Sequence, residues 1–471
     1  MYTENQKGGK TVKRAKGHIE WGTVAIIWTL AWPTMLEQLM QTAVQYIDTA
    51  MVGSLGTQAT AAVGSTTTVS WLLISSISAL SIGFLAFIAK ACGAGDKEAA
   101  SKAVGQAVFV TLIVGIFFTM VTVGLSGRIP VWMQVDKNIQ GIASKYFLIL
   151  YLPTLPRTAS IIFGTVLRAA GDTRTPMKVG VTVNIINVIL NFLLIYPTRQ
   201  VNWFGMSFKM FGMGWGVLGA AAASAIAFTA GGIYITAVLW KHPMVSPKGQ
   251  SIAPDKTILT PCLRIALPNM LQRFGTSFGY VAFASMINSV GEIATAAHTI
   301  ANTVESAFYI PGFGMQTAAA TLTGNAYGAK DKDKMNSITR MFIVIEVCLM
   351  ILSGAALFFS AQPLVSIFSK SDEVIALGTA VLRMVALSEP LYGVALITEG
   401  FMMGVGRTKT PFIYNIIGMW GVRILGTFIF TQLLGGGLVA AWACMIAHNV
   451  LLCILYFITY VRGSWNPLQK S

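Results

Sequence analysis

The chain has 471 residues, of which 54% are hydrophobic and only 11% charged, and its mean hydropathy is +0.66. Soluble domains carry about 25% charged residues, so these values exclude a soluble enzyme or scaffold and predict an integral membrane protein. The net charge of +15 is not a nucleic-acid footprint: with the N-terminus placed in the cytoplasm, 23 of the 33 Lys and Arg fall in cytoplasmic segments. That bias orients membrane proteins, here with both termini in the cytoplasm of a cell membrane, and it meets anionic lipid heads.

In chain order, residues 1–23 read as a basic cytoplasmic tail with a short interfacial helix around His18 to Trp21. The start does not match a cleavable signal, whose apolar core is shorter and ends in small residues. Twelve apolar runs follow, each long enough for a span of about 20 residues. They cover 24–51, 59–89, 103–125, 139–167, 175–196, 214–239, 260–288, 294–325, 337–360, 375–403, 411–433 and 438–461. None alternates like a barrel strand, so an all-α fold is predicted. Spans one to six form a first lobe (24–240), a Pro-rich polar stretch a cytoplasmic linker (241–259), spans seven to twelve a second lobe (260–461), and 462–471 a tail. The outer loop Trp203 to Gly214 is rich in Gly, Met and aromatic residues and is expected to lie along the membrane interface.

The two lobes repeat one pattern. A shift of 235 residues brings Pro33 onto Pro268, Gly56 onto Gly291, Gly93 onto Gly328 and Thr173–Pro176 onto Thr408–Pro411. Further on the shift becomes 220. Six spans per lobe is an even number, so the lobes are parallel repeats about a pseudo-two-fold axis normal to the membrane, with a cavity expected between them. The repeat also isolates what is unshared: Asp48 meets Phe283, Asn187 meets Val422, Asn191 meets Gly426, and Ser224 meets Cys444. The first lobe is polar where the second is apolar.

The first span holds Glu37, Gln41, Gln45 and Asp48, spaced four, four and three residues apart and therefore on one helical face. A charge at membrane depth costs about 2.5–3.5 kcal/mol on insertion scales and marks an ion or substrate path. Asn184, Asn187 and Asn191 share one face of the fifth span. Their amide oxygens are hard neutral ligands and their amide nitrogens suit a carboxylate; Asn184 reads as interhelical glue. Glu37 lies about 16 Å along the axis from Asp48. It either meets a cationic substrate or relays protons, or else it sits in water at the cytoplasmic end. In the second lobe Glu305 is the best cavity acid, while Glu346, Glu389 and Glu399 carry no assigned role. Arg157, Arg273 and Arg423 are their potential partners. The prolines in the spans are hinges or packing features. Five scattered cysteines, four scattered histidines and the lack of a phosphate-binding loop or nucleophile–base pair predict no enzyme and no cofactor. An ion gradient is then the expected energy source.

The stretch P-x-x-x-E-Q-x-x-Q-T running to I-D-T-A-M-V-G-S-L-G (Pro33–Gly56), the loop LRAAGDTRTP (Leu167–Pro176), the segment Ala296–His298 and the twelve-span double repeat together resemble the multidrug and toxic compound extrusion (MATE) transporters. The resemblance implies a V-shaped pair of six-helix lobes and export of amphipathic, often cationic compounds against inward H⁺ or Na⁺ flow. It implies a first-lobe cation site at Asp48, Asn187, Asn191 and Ser224, with Asp48, Asn187 and Asn191 as metal ligands only if Na⁺ is the driver. Glu37, Gln41, Gln45 and Glu305 are then the substrate-cavity candidates. Some branches carry an acid where this chain has Asn191, which argues against a strong Na⁺ cage. The eukaryotic branch uses acids in the seventh helix, and none occurs between Pro268 and Asn288.

The expected function is a cation-coupled antiporter working by alternating access. The expected partners are a small-molecule substrate and membrane lipid, with no nucleic acid, and the chain is expected to be a monomer. The alternatives are a lipid-linked precursor flippase of the same superfamily and, from another class, a passive channel or receptor.

Overall fold

The computed structural model describes residues 21–133, 135–203 and 206–469. The basic tail and most of the expected interfacial helix lie outside the described residues, and Trp21 opens α1. The helices are α1 (Trp21–Gly53), α2 (Thr57–Gly93), α3 (Lys97–Leu125), α4 (Ile129–Trp132), α5 (Lys137–Tyr151), α6 (Thr154–Ala169), α7 (Arg174–Leu194) and α8 (Val217–Lys241) in the first lobe. The second lobe has α9 (Lys256–Asn288), α10 (Glu292–Gly328), α11 (Lys332–Phe368), α12 (Asp372–Ala386), α13 (Glu389–Gly404), α14 (Lys409–Ile416), α15 (Leu425–Thr427) and α16 (Gly437–Val461). Among the described residues, seven helices are long and apolar enough to cross a membrane on their own, and up to nine spans result when each bent pair counts as one. The long helices α1, α9 and α10 are absent from that set. They carry the polar stripe and the in-helix prolines Pro33, Pro261, Pro268 and Pro311.

The repeat is written into the backbone. Left-handed φ occurs at Gly56 and Gly291, at Gly95 and Lys330, and at Gly171 and Gly406, each pair 235 residues apart as the shared motifs require. Asp96 and Asp331, another such pair, cap α3 and α11 by accepting the backbone N–H three residues on, each at 2.8 Å. The fourth and tenth spans are broken at equivalent places: α5 and α6 meet at 47°, α12 and α13 at 52°. Pro153 and Pro390 stand at these breaks, where a missing N–H does least harm.

The segment after α7, expected as a loop over Trp203 to Gly214, has regular structure. It is an antiparallel hairpin of β1 (Pro197–Trp203) and β2 (Met206–Met213), irregular between Pro197 and Arg199. Pairing satisfies backbone groups that an irregular chain would leave to water. The linker, for its part, is fastened to the first lobe by Gln106, whose side-chain amide donates to Ala253 O at 2.8 Å and accepts from Asp255 N at 2.9 Å.

The second difference is in the eleventh span. Ile417–Ile424 and Phe428–Leu433 are π-helical, whereas its repeat partner α7 is regular. Wider turns change which residues face inward. In α7 the buried residues include Val183, Asn187 and Asn191; in the eleventh span Met419, Arg423 and Thr427 take that face. The buried polar residues there, Arg423 and Thr427, thus fall one position beyond Val422 and Gly426, which the repeat pairs with Asn187 and Asn191.

The lobes touch backbone to backbone. A Cβ on Gly93 would stand 1.9 Å from Asn325 O, and one on Gly328 would stand 1.9 Å from Lys90 O. Only hydrogen fits at either place, so α2 and α10 cross at their C-terminal ends with no side chain between them. Gly93→Leu is expected to cost about 1–3 kcal/mol by overpacking. Gly53→Ala, which meets nothing within 4 Å, is expected to be neutral or slightly stabilising. Thermal unfolding of the two variants in detergent checks the contrast.

Candidate functional site

Ser224, Asn187, Asn191 and Asp48 form one hydrogen-bonded chain. Asn187 Nδ2 donates to Ser224 Oγ at 3.0 Å, Asn191 Nδ2 donates to Asn187 Oδ1 at 3.1 Å, and the same Asn191 Nδ2 donates to Asp48 Oδ1 at 2.5 Å. Three helices supply the four residues: Asp48 from α1, the asparagines from α7 and Ser224 from α8. Glycines bring α7 and α8 close enough. A Cβ on Gly219 would sit 2.5 Å from Leu194 O, and one on Gly231 would sit 2.4 Å from Val183 Cγ2. Ser224 lies between these two contacts on α8.

The asparagines are buried while Asp48 is half-buried. The site thus has a closed amide floor and a carboxylate at its rim. Asn191 Oδ1 is buried with no hydrogen-bond partner among the described residues, and so is Asn184 Nδ2. An orphaned amide oxygen next to a carboxylate is an acceptor waiting for a proton donor or a cation. The described residues hold no cluster of three or more His, Cys, Asp or Glu able to bind a metal. Any cation here is held by one carboxylate with neutral oxygens.

The other stripe residues are not brought into this chain. Glu37 is engaged elsewhere: Arg168 Nη1 donates to its two carboxylate oxygens at 3.1 and 3.0 Å. Arg168 Nη2 also donates to Thr165 Oγ1 at 3.2 Å, and Gln41 Nε2 reaches Glu37 Oε1 at 3.5 Å. Glu37 is therefore a paired acid tying α1 to α6, rather than a free cavity carboxylate. Gln41 and Gln45 are exposed. Glu305 is buried inside the second lobe, with Arg423 and Glu389 in its electrostatic surroundings.

The remaining second-lobe acids lack the ion pairs expected for them. Among the described residues no cation lies within 4.0 Å of Glu305, Glu346, Glu389 or Glu399. Glu399 accepts from Gln272 Nε2 at 2.7 Å, and both carboxyl oxygens of Glu346 are unpartnered. Arg157 lies on rings instead, 4.2 Å from the Phe228 centroid and 5.9 Å from that of Tyr151. Next to it the Tyr151 hydroxyl donates to Ser70 Oγ. Tyr146 feels both Asp48 and Arg157, so this aromatic wall belongs to the site's surroundings. Only Arg157 among these was visible as a polar residue inside an apolar run.

A MatE family model matches residues 33–193 and again 268–429. The chain belongs to the MatE family. The double match agrees with the 235-residue repeat at its first residues and runs one residue longer in the second copy. Curated relatives match this MatE chain over most of its length. A probable multidrug resistance protein NorM of Thermotoga maritima is 27% identical over 437 residues, 93% of this chain and 92% of that protein. A probable multidrug resistance protein YoeA of Bacillus subtilis is 25% identical, covering 93% of each. A crystal structure of MATE in complex with MaD3S superposes with a TM-score of 0.87 at 23% identity, over 95% of this chain and 97% of the other. The MatE fold of two six-helix lobes is shared with it.

The Glu37–Arg168 pair is testable alone. Arg168→Met strands a mostly buried carboxylate and is expected to destabilise, by up to about 3–5 kcal/mol. Adding Glu37→Gln should recover part of that loss, with a coupling of about 0.5–3 kcal/mol. Denaturant or thermal unfolding of the two singles and the double measures it.

Proposed function

We propose that the chain is a cation-coupled multidrug efflux antiporter, driven by inward H⁺ or Na⁺ flow and exporting amphipathic, often cationic organic compounds by alternating access. The observation that carries this reading is the Ser224–Asn187–Asn191–Asp48 chain, with its one acid beside the unpartnered Asn191 Oδ1. Family membership and the multidrug-resistance names of the relatives support it.

The chemistry runs as follows. With Asp48 ionised, Asn191 Nδ2 satisfies one carboxylate oxygen and the three helices are drawn together. A proton arriving at Asp48 removes the charge and weakens that bond. A sodium ion instead takes Asp48 Oδ, and a rotated Asn191 amide offers Oδ1 in place of Nδ2. Either way the loaded and empty states differ in how tightly α1 holds α7. Exchange follows when ion and substrate favour opposite arrangements of the lobes. Glu37, already paired with Arg168, is a helix-to-helix tie in this scheme, and its neighbours Gln41 and Gln45 face the space where substrate is received.

On this reading the protein lies in the cell membrane with both termini in the cytoplasm, which the Lys and Arg bias supports, and works as a monomer. Asp48→Asn is expected to lower drug efflux about 5–150-fold, the range spanned by a coupling free energy of 1–3 kcal/mol, while expression and folding persist. Efflux from cells or proteoliposomes at the wild-type rate in that variant refutes the assignment.

A further inference from the structure

In the second lobe a buried arginine stands beside the residue that the repeat pairs with Asp48. Asp48 corresponds to Phe283 through the 235-residue repeat. On the eleventh span, through its π-helical turns, the buried residues include Arg423 and Thr427, each one position beyond Val422 and Gly426, the repeat counterparts of Asn187 and Asn191. The Arg423 guanidinium carbon lies 4.2 Å from the centroid of the Phe283 ring and 4.8 Å from that of Tyr280. Arg423 is 4% exposed and its Nε has no hydrogen-bond partner among the described residues. The partner of Ser224, Cys444, closes the same side: a Cβ on Gly426 would sit 3.1 Å from its Sγ. A buried cation therefore stands against the residue that replaces the carboxylate.

We propose that Arg423 is a tethered cation filling the second lobe's copy of the first-lobe cation site, so that ions exchange in the first lobe alone. The proposal rests on the reading of Asp48 as the exchanging acid. A guanidinium stays protonated at any working pH, so a lobe that carries its own cation is permanently loaded. Stacking on two aromatic faces replaces the carboxylate–amide cage, since a ring face attracts a desolvated cation. The titratable groups in electrostatic reach of Arg423 are His298, Glu305 and Tyr309 from α10 and His448 from α16, with Tyr280 of α9 beneath it. Glu305 is the one acid among them, and Arg423 is a cation within its electrostatic reach.

The test uses the purified full chain in detergent, with thermal unfolding read in sodium against choline chloride and at acidic against neutral pH. In an Asp48→Asn background no ion-linked shift of Tm is expected. Adding Arg423→Met empties the second site, and sodium or a proton should now enter beside Glu305, raising Tm by about 2 °C or more. Arg423→Lys keeps the charge and should stay silent. Glu305→Gln added to the Arg423→Met chain should silence it again, which separates Glu305 from the two histidines.

Should Arg423→Met fail to fold, Asp48→Asn/Phe283→Asp serves in its place. A carboxylate at position 283 should be neutralised by Arg423 at once and show no ion response. A folded Arg423→Met variant without an ion response, or a Phe283→Asp variant with one, overturns the proposal. The two readings fail differently. An ion response surviving in Asp48→Asn removes the first-lobe site itself, whereas silence in both Asp48→Asn and Asp48→Asn/Arg423→Met removes only the role of Arg423.

Discussion

The short contact of Asn191 Nδ2 with Asp48 Oδ1 is the constraint around which the first lobe is built. A carboxylate at membrane depth must be given partners or it is expelled. Here the partner is an amide that is itself held by a second amide, and that by a hydroxyl. Each link comes from a helix whose approach had to be arranged beforehand. Gly219 and Gly231 let α8 close on α7, and Pro176 sits in the first turn of α7, where its missing N–H is harmless. Neutral amides satisfy the acid without cancelling its charge, which leaves it able to change partner. An arginine in the same place would satisfy it permanently, and Glu37 with Arg168 displays that outcome on the same helix.

Duplication gave the protein two such clefts, and the chain has treated them oppositely. Most shared positions serve the scaffold: the left-handed turns at Gly56 and Gly291, the caps at Asp96 and Asp331, and the contact of Gly93 and Gly328 where the lobes meet. The unshared ones carry the chemistry. The first lobe has a carboxylate over amides, and the second has a guanidinium over rings. On the proposed reading, such an asymmetric pair of lobes would let a single loading event tilt the balance between two arrangements, because only one half changes its charge.

Much of this was legible in the sequence, for reasons that can be named. Apolar runs report helices because a lipid-facing segment must satisfy its own backbone, so the span order could be read directly. Asp48, Asn187, Asn191 and Ser224 stood out because polar groups are scarce there and the repeat showed them unshared. What escaped depended on geometry that spacing does not encode. The fixed 235-residue shift pairs Asn187 with Val422, whereas through the π-helical stretches the buried polar residues include Arg423 and Thr427. The LRAAGDTRTP loop was visible as a motif, but only packing reveals that Arg168 reaches Glu37. The β1–β2 hairpin hid in a Gly-, Met- and aromatic-rich stretch without the alternation that announces a strand.

The account makes one claim above the others: substrate and cation compete through the protonation or loading of a single acid, Asp48. The direct measurement is the release of protons, by indicator dye, and of sodium, by a sodium-selective electrode, when substrate is added to purified protein. The account predicts a release approaching one cation per substrate bound when the single site starts loaded, because each ligand weakens the other by the same factor, and none from Asp48→Asn. Wild-type protein that binds substrate without releasing either ion, or an Asp48→Asn variant that releases as much, would contradict it.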